Sequence, residues 1–487
     1  MHNVSNKMVK GAAWMVAFKF VERSIGLLST FILARLLAPD DFGLVAIATS
    51  FLGLLLLLTS FSFDVALIQN QNADKVLYNT AWTFNVIAGV FLAFLLMIFA
   101  IPISNFYNEI RLEKILYVLA FSTFIDGFSN IGPVAFRKNL EFHKEFYFLL
   151  SKKIISFSVC ILLAFSLRSY WALVWGSFAG KVLEVFLSYK VHPYRPRLSL
   201  AGTRNLFGFS MWMFFNNSLF FAYNRLADFV ISKLFGGHVL GIYSIAYELS
   251  NLPTTELVAP INRAVLPGYS KLADDELALR QGFLNVLSVI ALFAVPSGVG
   301  LALVAEPLVL VVLGDKWKEV IPLMEILSLS GMLIALQTNA SVVYNALAKP
   351  KYMTFILFIH IVVIFIPLLL IFIKDEGAVG VSKAYLISNL LIWPLNYFIV
   401  MKLIGVKFSS IVLVIWRPFL SATLMFFLTR SIQISVKGGV TPMQDLLMCV
   451  GSGVFLYLFF DVLFWILTKK PNGAETFILS KLRDSMR

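Results

Sequence analysis

Apolar runs of roughly 20 residues recur along this chain from end to end, and a run of that length matches the hydrocarbon thickness of a bilayer. Hydrophobic residues make up 59% of the 487 and charged residues only 14%, more hydrocarbon-like side chain than a soluble core needs. The runs are continuous rather than alternating, so they read as helices and exclude a membrane β-barrel. The sequence therefore predicts an all-α polytopic membrane protein of about 14 transmembrane helices. Their expected positions are 12–37, 42–69, 80–103, 113–135, 146–167, 169–189, 207–235, 239–267, 282–313, 320–346, 351–373, 378–403, 408–429 and 443–468. Connections are short and rich in turn residues, as in APDD at 38–41, FGGH at 235–238, GDKWKE at 314–319 and AKPK at 348–351. No room is left for a separate soluble domain. The first run is too long for a signal peptide and reads as a span. Cys160 and Cys449 lie inside apolar runs, which suggests neither a disulfide framework nor a metal site.

The chain also repeats itself. With Trp14 set against Trp212, an ungapped offset of 198 pairs Met15 with Met213, Leu36 with Leu234, Gly43 with Gly241, Ile47 with Ile245 and Ala48 with Ala246. Six helices per copy is an even number, so both copies enter the membrane in the same direction, related by an axis along its normal. The expected division is an N-lobe at 1–190, a cytoplasmic inter-lobe loop at 191–206, a C-lobe at 207–405, and helices 13 and 14 with a tail at 406–487. Two such lobes would enclose a central site that rocking exposes to each side in turn. The charges are not copied: Lys19, Glu22 and Arg23 fall on Asn217, Phe220 and Phe221.

A net charge of +13 invites a nucleic-acid reading, and the placement of the charges argues against it. About 21 Lys and Arg fall in connections on the side of the N-terminus and about 10 on the other, which predicts cytoplasmic termini. Within the spans about nine bases meet about ten acids, close to balance. Most of the excess is therefore a topology signal.

An ionisable group in the bilayer costs several kcal/mol unless it faces a cavity or a partner, so each is a functional candidate. Lys19, Glu22 and Arg23 share one face of helix 1, and Arg225 and Asp228 stand three apart on helix 7. Helix 8 carries Glu248, Glu256 and Arg263 with Pro253, Pro260 and Pro267, a spacing that kinks it repeatedly. Lys152 and Lys153 sit near the inner end of helix 5, where snorkelling competes with a site role. Lys181 and Glu184 read as a mutually neutralising pair, and His360 as a neutral buried histidine. Asp64 and Asp126 lack a local basic neighbour and are candidates for a coupling ion. Basic groups in a cavity call for an anion: Arg suits phosphate through its planar fork and Lys as a point charge. No Walker sequence, paired-carboxylate site or metal-ligand spacing is present, so neither an ATP-driven pump nor an enzyme is expected.

Four blocks in order carry a resemblance: LARLLAPDDFGLVAIA (33–48), DFVISKLFGGHVLGIYSIAYELSNLP (228–253), VLPGYSKLADDE (265–276) and AEPLVLVVLGDKW (305–317). They resemble the polysaccharide transporter family, the Wzx-like branch of the multidrug/oligosaccharidyl-lipid/polysaccharide (MOP) flippase superfamily, with colanic and teichuronic acid exporters nearest in appearance. The resemblance implies two six-helix lobes plus a terminal pair, in the bacterial cytoplasmic membrane. It implies alternating access that carries an undecaprenyl-pyrophosphate-linked oligosaccharide to the outer leaflet. Lys19, Arg23, Arg225 and Arg263, with Lys152 or Lys153, would surround the pyrophosphate. Glu22, Asp64, Asp126, Asp228, Glu248 and Glu256 would be cavity acids or ion-coupling groups. The lipid tail would lie between the lobes or beside helices 13 and 14. No cofactor is implied beyond a proton or sodium gradient. The implied partners are the lipid-linked substrate, membrane lipid, and a polymerase and glycosyltransferases of the pathway, with no nucleic acid, and the protein as a monomer.

Three rivals share the architecture or the composition. A drug or cation antiporter should favour acids in its cavity, against the Lys19 and Arg23 pair. A lipid II flippase handles the same pyrophosphate. A membrane scaffold would need no central charges at all.

Overall fold

The computed structural model describes residues 2–59, 67, 74–139, 141–201, 203–347, 349, 351–436, 439–470, 473 and 476. The side chains of 2–17, 204–217, 220, 263, 264 and 267 stand outside that description. Among the described residues the secondary structure is entirely helical. Ten stretches of the described residues are long and apolar enough to cross a bilayer.

The chain forms two compact units, Met1–Gly241 and Ile242–Arg487. The first holds α1 (His2–Leu36), α2 (Pro39–Leu57), α3 (Lys75–Tyr107), α4 (Arg111–Gly127), α5 (Phe142–Leu167), α6 (Trp171–Val191) and α7 (203–235). The boundary falls within the second copy because α7 packs along α2. Phe229 meets the Phe51 ring edge-on at 5.3 Å, and Phe221 lies over Gly53. Turn chemistry sets the helix ends. Pro39 opens α2, where the Ala38 amide donates to Asp41 Oδ2 at 3.0 Å, and Asn108 ends α3 in the left-handed region.

Two expected helices differ. In the one placed at 42–69 the helix from Pro39 ends at Leu57, and 60–66, 68 and 69 lie outside the described residues; the one placed at 113–135 ends at Gly127, followed by a turn and a short helix Val134–Lys138. Gly127 packs against Gly89 so closely that a Cβ on either would press on the other's backbone, and the turn residues Ser129, Asn130 and Gly132 then turn the chain. Asp126 consequently stands in the last turn of α4.

Gly236 (φ 81°) breaks the helix from Thr203 to Ser250 and starts α8 at 237. α8 passes through a π-helical turn at Pro253–Val258 and continues to Lys271. The prolines supply the cause: Pro253 and Pro260 bracket that turn and cannot donate to the carbonyls one turn back. The second unit adds α9 (Glu276–Leu303), α10 (Val320–Ala346), α11 (351–376), α12 (378–404), α13 (Phe408–Val436) and α14 (Pro442–Leu467), with Gly377 (φ 58°) dividing α11 from α12. Its apolar core centres on Phe283, Leu287, Leu336 and Val400. Buried tyrosines in that core find acceptors, as burial of a hydroxyl requires: Tyr269 Oη donates to Asn339 Oδ1 at 3.0 Å and Tyr344 Oη to Asn396 Oδ1 at 2.7 Å.

Candidate functional site

The helix ends of the first unit sort into two layers. In one, the Tyr170 amide donates to Asp41 Oδ1 at 3.0 Å, Lys233 Nζ to the Phe106 carbonyl at 2.6 Å, and Asp40 Oδ2 meets His238 Nδ1 at 2.9 Å. Asp40 and His238 are 198 residues apart, the repeat offset, so equivalent residues of the two copies touch each other. The glycines nearby obey the same symmetry. A Cβ on Gly43 would run into the Gly237 carbonyl, and one on Gly241 into the carbonyl of Pro39, the repeat equivalent of Gly237. Sequence alone does not reveal that contact, although the offset pairs Asp40 with His238.

Measured down the helices from this layer at 1.5 Å per residue, Glu22, Arg23, Asp126, Lys152, Lys153, Lys181, Glu184, Arg225 and Asp228 all lie roughly 12–22 Å deep. One stratum thus collects most of the sequence candidates. α1 and α5 run parallel in it, with Phe18 edge-on to Phe146 at 6.2 Å, which sets Arg23 level with Lys152 to within a turn.

A ladder of alternating charge crosses α5, α6 and α4. Lys152 Nζ is paired with Glu184 Oε2, Glu184 Oε2 lies 3.6 Å from Lys181 Nζ, and Lys181 Nζ meets Asp126 Oδ2 at 2.6 Å. The four side chains keep 18–35% exposure, so the ladder is not sealed in a core. Close packing allows it: Gly180 lies where a Cβ would stand 2.9 Å from Ser156 Cβ. The ladder adds to two expectations: Lys181 and Glu184 stand 3.6 Å apart and each has a further partner, and Asp126, without a local basic neighbour, finds one 55 residues away on α6. Spacing along one helix reveals only neighbours on that helix.

Asp228 is buried at 7% exposure and accepts from Arg225 Nη1 at 2.8 Å and from Ser50 Oγ of α2 at 3.3 Å. Lys19 Nζ, exposed, reaches Glu22 Oε2 at 2.6 Å one turn away, and Arg23 and Lys153 are half-buried. Glu248 and Glu256, in the second unit, are half-buried on α8 and its π turn. Asp64 and the side chain of Arg263 lie outside the described residues. His360 is buried in the second unit with Nε2 3.1 Å from Ser388 Oγ. Among the described residues no cluster of His, Cys, Asp and Glu has metal-holding geometry.

An all-helical, internally duplicated chain with stretches long and apolar enough to cross a bilayer is a multi-pass membrane protein, and its fold is that of the MOP flippases. Solved structures share that fold. The lipid II flippase MurJ in an inward closed conformation superposes with a TM-score of 0.77 over 92% of this chain and 98% of that one, at 18% identity. An inward-facing multidrug resistance MATE transporter of the MOP superfamily gives 0.64 over 81% and 98%, at 14% identity. The family model described as polysaccharide biosynthesis protein matches residues 32–322, more than half of the chain, and the chain belongs to that family. The lipopolysaccharide biosynthesis protein WzxC of Escherichia coli K12 is 24% identical over 90% of this chain and 89% of its own. The teichuronic acid biosynthesis protein TuaB of Bacillus subtilis 168 is 23% identical over 82% and 83%. The succinoglycan biosynthesis transport protein ExoT of Rhizobium meliloti 1021 is 23% identical over 66% of each.

Proposed function

We propose that the protein flips a polyprenyl-pyrophosphate-linked oligosaccharide from the inner to the outer leaflet of the bacterial cytoplasmic membrane for surface-polysaccharide synthesis. The observation that carries this reading is near full-length similarity to polysaccharide-biosynthesis proteins on a flippase fold. A pyrophosphate diester carries two negative charges, and guanidinium forks match its oxygens. Arg23 and Arg225, at one depth, are the principal anchors, with Lys19, Lys152, Lys153 and Arg263 as supporting charges. Glu22, Asp126, Asp228, Glu248 and Glu256 are the acids available to a coupling proton or sodium ion. Translocation breaks no bond and so needs no catalytic residue.

An apolar groove of about 510 Å³ between α12 and α13, lined by Trp393, Tyr397, Phe398, Met401, Phe408 and Ile411, suits the polyprenyl tail. In this reading both termini are cytoplasmic, the protein works as a monomer, and glycosyltransferases and a polymerase supply and consume the substrate. The likeness to the lipid II flippase is one of fold at 18% identity, so it does not favour lipid II over the saccharides named for the sequence relatives.

Arg23→Glu and Arg225→Glu, expressed in a deletion strain at wild-type membrane levels, are each expected to abolish surface polysaccharide and to accumulate lipid-linked saccharide on the inner leaflet. Wild-type polysaccharide from both variants would sink the reading.

A further inference from the structure

The connection after α6 has the length of a flexible linker and the structure of a strap. Pro193 and Pro196 fix their own backbone and hold the residues before them extended. Exposure alternates accordingly: Val191, Pro193, Arg195 and Arg197 face outward, while His192, Tyr194 and Pro196 are half-buried.

The inward side is bound along its length to the first unit. Asn130 Nδ2 donates to the Tyr194 carbonyl at 2.7 Å, the Arg197 amide to Asn79 Oδ1 at 2.9 Å, and the Ser199 amide to Thr83 Oγ1 at 2.9 Å. Tyr194 Oη also donates to Asn79 Oδ1, and its ring meets Tyr78 edge-on at 5.7 Å.

The outward side is amphipathic. Arg195 and Arg197 are exposed, followed by Leu198 at 72% and Leu200 at 55% exposure. Arg195 is held in place: its Nη1 donates to the carbonyls of His192 at 2.8 Å and Tyr194 at 2.9 Å, and the guanidinium lies 5.8 Å from the Tyr189 ring.

The height of the strap follows from α3. Its 33 residues span about 50 Å, so about 10 Å at each end stands outside a hydrocarbon layer of about 30 Å. Asn79 and Thr83 lie about 6 and 12 Å from the Lys75 end. The arginines near Asn79 are thus at headgroup height, and the leucines flanking Ser199 are at the hydrocarbon edge.

We propose that this strap is a binding surface for an anionic phospholipid of the bilayer. Arg195 and Arg197, two residues apart on an extended chain and so about 7 Å from each other, take the headgroup phosphate between them. Leu198 and Leu200 enter the acyl boundary beside it. The linkage of α6 to α7 is thereby fixed to the membrane surface as well as to α3. The inference stands apart from the saccharide substrate, because it uses none of the charges of the central stratum.

The full chain, purified in detergent with a mixture of phosphatidylglycerol and phosphatidylcholine, is examined by native mass spectrometry for retained lipid. Wild type is expected to retain phosphatidylglycerol preferentially. The double variant Arg195→Gln/Arg197→Gln is expected to lower that preference about 30-fold, with Lys271→Gln, an exposed basic residue of the second unit, unchanged. Unaltered thermal stability of the double variant confirms that the fold survives. An unchanged lipid preference in the double variant, an equal loss in Lys271→Gln, or retention of a polyprenyl pyrophosphate in place of phosphatidylglycerol overturns the proposal.

Discussion

Lys181→Met tests whether the charge ladder is a working unit. Lys181 Nζ is 2.6 Å from Asp126 and 3.6 Å from Glu184, so its loss strands Asp126 while Glu184 keeps Lys152. Removing one partner of a fully buried pair costs about 3–5 kcal/mol. Here both partners are about one-third exposed, and water returns part of that, leaving about 2–3 kcal/mol. Asp126→Asn in the same chain removes the stranded charge and should recover about half of the loss, a coupling of about 1 kcal/mol or more in the double-mutant cycle. The assay is unfolding of the purified protein in one detergent, scored for wild type, both single variants and the double variant. Additive effects would refute the ladder as a coupled unit, and so would a Lys181→Met chain as stable as wild type.

Backbone contact across the repeat predicts that Gly43→Ala and Gly241→Ala each destabilise by about 1–3 kcal/mol in the same unfolding assay. Gly26→Ala, where a Cβ meets nothing within 4 Å, should be neutral or stabilising; equal losses at all three would remove the close approach as the cause. Acid should loosen the strap through His192, whose pKa lies below its ordinary 6.5 because burial disfavours the cation, with Lys144 and Arg195 adding to the fall and Glu141 opposing it. The folded state therefore holds the neutral ring, whose Nδ1 accepts from the Tyr194 amide at 3.2 Å, and the unfolded chain takes up the proton first as pH falls. The stability from the neutral ring is present above pH 6.5 and lost below it. Amide exchange at Tyr194 and Arg197, corrected for intrinsic rate, should speed up about fivefold on acidification, and His192→Phe should abolish that dependence.

Class and connectivity were legible in the sequence because both are local or periodic properties. Apolar runs of bilayer length define spans, Pro253 and Pro260 mark the place where α8 turns π-helical, and Gly236 marks the break between α7 and α8. The offset of 198 that pairs Gly43 with Gly241 is visible as text, and the family blocks stand in plain order. The candidate charges were also legible, since any ionisable residue in an apolar run stands out.

Partnership among those charges required the tertiary structure. Asp126 finds Lys181 and Glu184 finds Lys152 only because glycine lets α5 and α6 approach while α4 ends beside them. Likewise Asp228 takes Ser50 from α2, and Asp40 takes His238, its own repeat equivalent. The connection at 191–206 read as a loop because Pro, Arg and Ser predict no regular helix; what fixes it is Asn79, Thr83 and Asn130 on other helices. A sequence fixes how each helix presents its side chains. Which of them meet depends on crossing distances and depths that arise only when the helices pack.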